Sequence, residues 1–209
     1  MKGLAVLEVG AADVNGGVRS VVSALLPARY VGVDLHLGPG VDVVCDAGEL
    51  TAYFGEQSFD VVISTEMLEH VEDWRLVVTN LKRVLRPRGY LLVTTRSIGF
   101  PYHGNPYDYW RFEPSDMREI FGDMDILALE RDADIEPGVL MLARKPGEHV
   151  ESNLDEIMLY SIVRGRRLRD LSRLQVAVTE SATVLWRLSK RVLPRRWIDS
   201  LRGWIKEKR

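Results

Sequence analysis

The stretch VLEVGAADVNGG, residues 6–17, decides how this chain folds. Val6, Leu7 and Val9 continue an apolar run from Leu4, as a strand buried on both faces requires. Gly10 ends the run, and a turn-rich loop leads into a helical stretch over Val18–Leu26 that Pro27 stops. Strand, loop and helix in that order place free helix amides beside the carboxyl end of the strand. An open parallel sheet binds its ligands at such strand ends.

The same alternation continues outward. Tyr30–Val33, Val41–Cys45, Phe59–Ser64 and Tyr90–Thr95 read as strands, with helices over Glu49–Phe54 and Trp74–Leu85 between them. Pro87-Arg88-Gly89 terminates the second of those helices. A further helix opens at Pro114 and runs to about Phe121, with Ser115 or Asp116 as its N-cap. Asp125–Arg131 and Val139–Arg144, joined by Glu136-Pro137-Gly138, look like a closing antiparallel hairpin. The fold class expected is a doubly wound α/β sheet. Pro146-Gly147 marks a domain edge, with residues 1–147 as the body and 148–209 as a helical extension. Helices are expected there over 153–176, 177–193 and 195–207, the last two separated by Pro194.

Composition agrees with one α/β domain plus an appendage: 209 residues, 46% hydrophobic and 28% charged. The longest apolar runs are far too short to cross a bilayer. Met1-Lys2-Gly3 passes straight into a strand without an apolar leader, so a cytoplasmic location is expected. Cys45 stands alone and cannot form an internal disulfide. Four histidines and one cysteine show neither CxxC nor HExxH spacing, so no metal is expected. The net charge of -2 conceals a division: residues 1–150 hold 14 basic and 23 acidic residues, residues 151–209 hold 14 and 7. An acidic body with a basic tail implies two modules with different partners.

Polar residues fall at the strand ends. Strand 1 delivers Glu8 and Gly10, and strand 2 ends in Asp34, placed to accept from both hydroxyls of a ribose. Strand 3 ends in Asp46-Ala47, where a carboxylate can accept from an adenine amine. Strand 4 ends in Ser64-Thr65-Glu66, followed by Met67-Leu68-Glu69-His70. With VLEVGAADVNGG, YVGVDL, VDVVCDAGEL, FDVVISTEMLEHVEDW and LKRVLRPRGYLLVTT in this order, the chain resembles the class I S-adenosylmethionine-dependent methyltransferases over about residues 4–145. The closest resemblance is to the small-domain type with an LEH motif after strand 4. That resemblance implies a Rossmann-like seven-stranded sheet ordered 3-2-1-4-5-7-6 with strand 7 antiparallel, and S-adenosylmethionine as cofactor. It implies that Glu8 and Gly10, with Ala11 and Asn15 beside them, hold the methionine end. Asp34 and Leu35 would meet the ribose, Asp46 and Ala47 the adenine, and Thr65 and Glu66 the methyl-transfer side. The family's loop commonly carries glycine where Ala12 and Val14 stand; here Asp13, Asn15 and Gly16 would shape the turn instead.

The rival is a dinucleotide fold, but GxGxxG counted from Gly10 requires glycine at positions that hold Ala12 and Asn15. An adenosyl sulfonium has no pyrophosphate, so the backbone need not approach as closely, and its positive sulfur suits an acidic body.

After strand 5 comes SIGFPYHGNPYDYWRFEPSDM, residues 97–117, where this fold carries substrate-contacting loops. Tyr102, Tyr107, Tyr109, Trp110 and Arg111 are the expected wall of a substrate pocket. His103 is the first candidate general base, with Asp108 to orient it or act itself, and His70 the second. His36 is read as a cofactor-rim residue and His149 as a solvated linker residue. Only three residues precede Leu4, so a lid is expected from residues 97–117, the tail or another subunit.

In the tail, Trp197, Leu201, Trp204 and Ile205 share one helical face amid basic residues. Such a stripe suits packing or homodimerisation first, an anionic membrane surface second, and nucleic acid third. The expected activity is methyl transfer to an oxygen or nitrogen of a small molecule, glycan or lipid-linked intermediate. The other readings are a catalytically silent methyltransferase-like partner-binding protein and an RNA methyltransferase using the basic tail.

Overall fold

The computed structural model describes residues 1–14, 16–104, 107–132, 136–172, 174–177 and 181. Apart from residues 177 and 181, the tail helices expected over 177–193 and 195–207, with their tryptophan stripe, lie outside the described residues. So does Asn15.

Seven strands form the main sheet: β1 (Ala5–Val9), β2 (Arg29–Asp34), β3 (Val43–Val44), β4 (Phe59–Thr65), β5 (Leu85–Arg96), β7 (Asp125–Asp132) and β8 (Gly138–Arg144). Their order is β3-β2-β1-β4-β5-β8-β7. This is the expected 3-2-1-4-5-7-6 once a two-residue strand, β6 (Trp110–Arg111), is counted separately. The pairs from β3 through β5 are parallel, whereas β8 runs antiparallel to both β5 and β7.

The central strands are apolar on both faces and are covered unequally. Leu7, Val9, Val33, Val62, Leu91 and Val93 face the larger core, beneath Trp74, Val77, Val78 and Leu81 of α3 (Trp74–Val84). On the opposite face, α1 (Arg19–Ser23) buries Val22 over Val6, Val61 and Ile63. The helix α1 is shorter than Val18–Leu26 because it has no side-chain N-cap and few buried anchors. The short α2 (Leu50–Phe54) buries Leu50.

At α3 the Asp73 carboxylate accepts from the Leu76 amide (3.1 Å), an N-cap that fixes where the helix starts. The next strand begins at Leu85, so the Pro87-Arg88-Gly89 segment lies within β5 rather than in a loop. For α4 (Pro114–Ile120) the cap is Glu113, not Ser115 or Asp116: Asp116 instead accepts from the Glu113 amide (2.8 Å) and completes a capping box.

One expectation fails clearly. Residues 153–168, read as the start of a long helix, form a loop and the hairpin β9 (Leu159–Ser161) and β10 (Arg166–Leu168). The strand β9 pairs antiparallel with β6 and with β10, giving a second sheet ordered β10-β9-β6. Gly165, at φ +62°, turns the chain between them. Leu154, Ile157 and Leu159 enter the main core. Arg75 of α3 donates to the carbonyls of Leu154 (2.8 Å) and Ile157 (2.6 Å), and Arg167 pairs with Asp116 (2.7 Å). The free edge of β6 decides the outcome, because pairing with it satisfies backbone groups that a helix would have satisfied internally. The residues just after 147 therefore pack into the body, and Arg167 of this part meets one of its acids.

His149 is also not solvated: its Nε2 lies 3.2 Å from Asp123, beside the buried Lys82–Asp123 pair (2.7 Å). Among the described residues no helix is long and apolar enough to cross a membrane.

If the hairpin is part of the body, Leu159→Ala costs about 2–5 kcal/mol of stability, the usual cost of emptying a buried leucine site. Urea unfolding checks this, and an unchanged midpoint would detach residues 151–172 from the core.

Candidate active site at the strand ends

The loop after β1 is held by the ends of β1 and β2. Gly10 adopts φ +81°, and the amides of Gly10 and Ala11 both donate to the Val33 carbonyl (3.0 and 2.9 Å). The Asp34 carboxylate accepts from the Ala12 amide through Oδ2 (3.1 Å), so the acid ending β2 also anchors the loop. Its Oδ1 keeps only a long bond from the His36 amide (3.4 Å). Gly40 brings the β2–β3 connection onto this loop: a Cβ there would collide with the Ala11 carbonyl. Asp13 accepts from the Gly16 amide (2.8 Å), shaping the turn as expected.

Glu8 is buried beneath the loop and accepts from the Tyr30 hydroxyl, with the Arg19 guanidinium over the Tyr30 ring (4.5 Å). Burial raises the Glu8 pKa, and the Tyr30 bond opposes that rise. Asp46 accepts from the Gly48 amide (2.7 Å) and remains exposed, with Ala47 half-buried and Leu35 exposed beside the strand ends.

These residues fit an adenosyl sulfonium. Asp34 and Asp46 each keep spare acceptor capacity for ribose hydroxyls and an amine. Arg19, a cation close to the loop, is already paired with Asp42. Met67 lies against Gly10, where an added Cβ would come within 2.8 Å of it, so the loop is closed by an apolar side chain rather than a charge.

Met67 also joins this half to a second group of residues. Thr65 ends β4, and Glu66, at φ +52°, pairs its carboxylate with Arg96, whose guanidinium lies over Phe100 (4.0 Å). Leu68–His70, the LEH motif, is a single 3-10 turn. Glu69 within it is 0% exposed. Its Oε2 accepts from the Thr95 hydroxyl (2.8 Å), while its Oε1 has no hydrogen-bond partner. That bare oxygen faces Nε2 of His103 at 3.6 Å and Nε2 of His70 at 3.9 Å. The two rings are 4.7 Å apart, tilted.

Each ring is anchored from behind. His70 Nδ1 donates to the Tyr107 carbonyl (2.5 Å), and His103 Nδ1 donates to Asp108 (2.9 Å). Asp108 is held in turn by two arms of Arg111 (2.5 and 2.7 Å). Burial alone would raise the Asp108 pKa, but Arg111 and His103 hold it down to about 2. Burial opposes the charged form of His103, yet the Asp108 bond and the nearby Glu69 carboxylate outweigh it and lift the ring to about 9. At neutral pH this imidazole carries its proton and donates rather than accepts.

The residues expected as a pocket wall divide. Tyr102 is exposed and Tyr107 half-buried, both on the loop that carries His103. Tyr109, Trp110 and Arg111 are instead in the interior. The indole of Trp110 donates to the Glu72 carbonyl (3.3 Å), and Arg111 also donates to the carbonyls of Phe100 (3.2 Å) and Pro101 (3.0 Å). Arg111 supports the loop from below, its donors spent on the loop backbone and on Asp108, while Trp110 ties the chain to the segment before α3. The loop tip, Asn105-Pro106, lies outside the described residues. Glu69 was not singled out from the sequence. The available signal was a carboxylate inside the apolar run Met67-Leu68-Glu69-His70-Val71, which is costly unless something answers it.

Residues 7–93 match a family described as a methyltransferase domain. Among curated proteins, the phthiotriol/phenolphthiotriol dimycocerosates methyltransferase 1 of Mycobacterium ulcerans is 37% identical over 106 residues, 45% of this chain and 38% of that protein. The ubiquinone biosynthesis O-methyltransferase of Rhizobium etli is 33% identical over 108 residues, 46% of this chain and 42% of that protein. The matches thus span about two fifths of these relatives. Among solved structures, Burkholderia thailandensis 1,6-didemethyltoxoflavin-N1-methyltransferase, with 1,6-didemethyltoxoflavin and S-adenosylhomocysteine bound, aligns with TM-score 0.56 at 19% identity, over 69% of this chain and 72% of that one. An S-adenosylmethionine-dependent methyltransferase from Mesorhizobium loti aligns with TM-score 0.55 at 17% identity, over 69% and 92%. At such identities these two likenesses concern the fold. Sheet order and sequence match agree: residues 7–93 are similar to a methyltransferase domain, and the sheet that contains them has the class I methyltransferase fold.

Proposed function

We propose that this chain transfers a methyl group from S-adenosylmethionine to a hydroxyl of a small molecule or lipid-linked intermediate. The carrying observation is the meeting, across Met67, of an acceptor-rich adenosyl cradle with a buried carboxylate and two oriented imidazoles. The curated relatives, whose names include O-methyltransferases and a methyltransferase of a lipid, support this acceptor class.

Bound S-adenosylmethionine supplies an electrophilic methyl on a positively charged sulfur. The chain's own part is alignment and exclusion of water, which dominate an in-line displacement. Asp34 holds the ribose hydroxyls, while Asp46 and Ala47 meet the adenine. Glu66, Glu69 and the β4 end keep the methyl-transfer side negative, which suits a sulfonium. His103, charged at neutral pH, orients the acceptor oxygen by donating to it, with Asp108 and Arg111 as positioning residues. The acceptor's proton leaves to solvent as the oxygen takes the methyl group.

Calorimetry with S-adenosylmethionine is the test. Binding by the native chain and a loss of about 10–100-fold in affinity for Asp34→Ala are expected, the equivalent of hydrogen bonds to a charged acceptor. No binding at millimolar cofactor by folded protein would overturn the enzyme reading in favour of a catalytically silent domain.

Arg111→Met leaves Asp108 as a buried charge without its main partner, and a stability loss of about 3–5 kcal/mol is expected in urea unfolding. A loss below about 1 kcal/mol would mean that the pair does not hold the loop.

A further inference from the structure

A fully buried carboxylate oxygen with no hydrogen-bond partner is costly, and Glu69 Oε1 is such an atom. It does not point into an apolar void. One ligand-capable atom each from Glu69, His70 and His103 lie together within 4.8 Å. Three ligands at about 2.1 Å from one ion stand about 3 Å apart when adjacent and about 4 Å when opposite. The observed 3.6 and 3.9 Å separations from Oε1 are near that range, so small side-chain shifts of about an ångström would close the set.

The arrangement behind these atoms is equally specific. Metal-binding histidines donate their other ring nitrogen to a carbonyl or carboxylate, which fixes the tautomer and aims the ligating nitrogen. Both halves of that pattern are present: the Tyr107 carbonyl takes the Nδ1 proton of His70, and Asp108 takes that of His103. The carboxylate is oriented too, since Thr95 holds the other oxygen of Glu69 and leaves Oε1 bare. Glu66 is not needed, being paired with Arg96.

We propose that Glu69, His70 and His103 bind one divalent first-row transition metal ion, of the zinc or manganese class, with open coordination positions facing the methyl acceptor. Two imidazoles and one carboxylate are a borderline donor set suited to these ions rather than to magnesium or calcium. In the methyl transfer proposed above, on which this role rests, the ion displaces the Nε2 proton of His103 and replaces that imidazole in orienting the acceptor hydroxyl, which it takes into an open position and whose pKa it lowers. The hydroxyl proton leaves to solvent. The oxygen then bonds to the methyl carbon as the carbon–sulfur bond breaks, and the electron pair stays on sulfur. The substrate class narrows accordingly to hydroxyls that can approach a metal, with catechol-like or vicinal oxygens best suited to two open positions.

The binding site itself is testable without any acceptor. Tag-free protein is titrated with Co2+ alone, read by visible absorption, and then with Zn2+ in competition. One equivalent of cobalt is expected, with ligand-field bands that zinc abolishes. Glu69→Gln and His103→Gln are expected to weaken binding at least tenfold while circular dichroism stays native. Asp108→Asn, which leaves the ligands in place, is expected to weaken it about 10–100-fold. If folded native protein binds S-adenosylmethionine but no cobalt at millimolar concentration, the metal site is overturned and the methyltransferase reading stands. If neither is bound, the earlier reading falls. Cobalt affinity unchanged in both ligand variants would place the ion elsewhere and overturn the assignment. If both ligand variants are unfolded, the peptide-independent test is the spectrum of the native chain, where absence of nitrogen-ligated bands overturns it.

Discussion

Asp108 is the constraint on which the loop after β5 and the imidazole it carries depend. Its carboxylate is fully buried, and a buried charge is tolerable only when other groups answer it. Arg111 answers from below with two bonds and His103 from above with a ring and a backbone bond. Because Arg111 also binds the carbonyls of Phe100 and Pro101, one ion pair ties the loop after β5 to the sheet beneath it. Loops are ordinarily mobile surface segments. This one is held to a fixed place at its base, and the His103 imidazole is fixed with it.

The two halves of the site are built by different physics. The half around the β1 loop is made from backbone: a glycine at positive φ, two amides on one carbonyl, and a second glycine that lets the neighbouring loop approach. Its side chains, Asp34 and Asp46, keep acceptors to spare. The half beyond Met67 is made from buried charge, with Glu69, Asp108 and Arg111 all withdrawn from solvent. Burial strengthens each electrostatic contact there and leaves little freedom to rearrange. Met67 is the apolar contact between the halves, lying on Gly10 from one side and continuing into the LEH turn on the other.

Legibility followed the range of the interaction. Strands β1, β4 and β5 are apolar on both faces, so periodicity and composition suffice to find them, and the strand-end acids follow by position. The hairpin β9–β10 was not legible, because its sequence is compatible with a helix until the free edge of β6 is known. His149 reads as a linker residue until Asp123 is brought to it by the turn after α4. Trp110 and Arg111 read as pocket aromatics and cations, yet both are interior supports. Nothing local tells a buried arginine from an exposed one; its partner does, and Asp108 three residues earlier reads equally as a group that orients His103 or acts itself.

By itself the sequence determined the sheet, its order through the family resemblance, and the residues that stand at the carboxyl ends of its strands. Those are consequences of hydrophobic pattern and chain direction, which are written locally. Only the tertiary structure decided what faces what across the site: that Glu69 presents a bare oxygen to two imidazoles, and that each imidazole is oriented from behind. His70 and His103 are 33 positions apart in the chain, and no spacing rule links them. They meet because β5 and the loop after it return over the end of β4, and a buried carboxylate there must be answered by whatever the fold brings near.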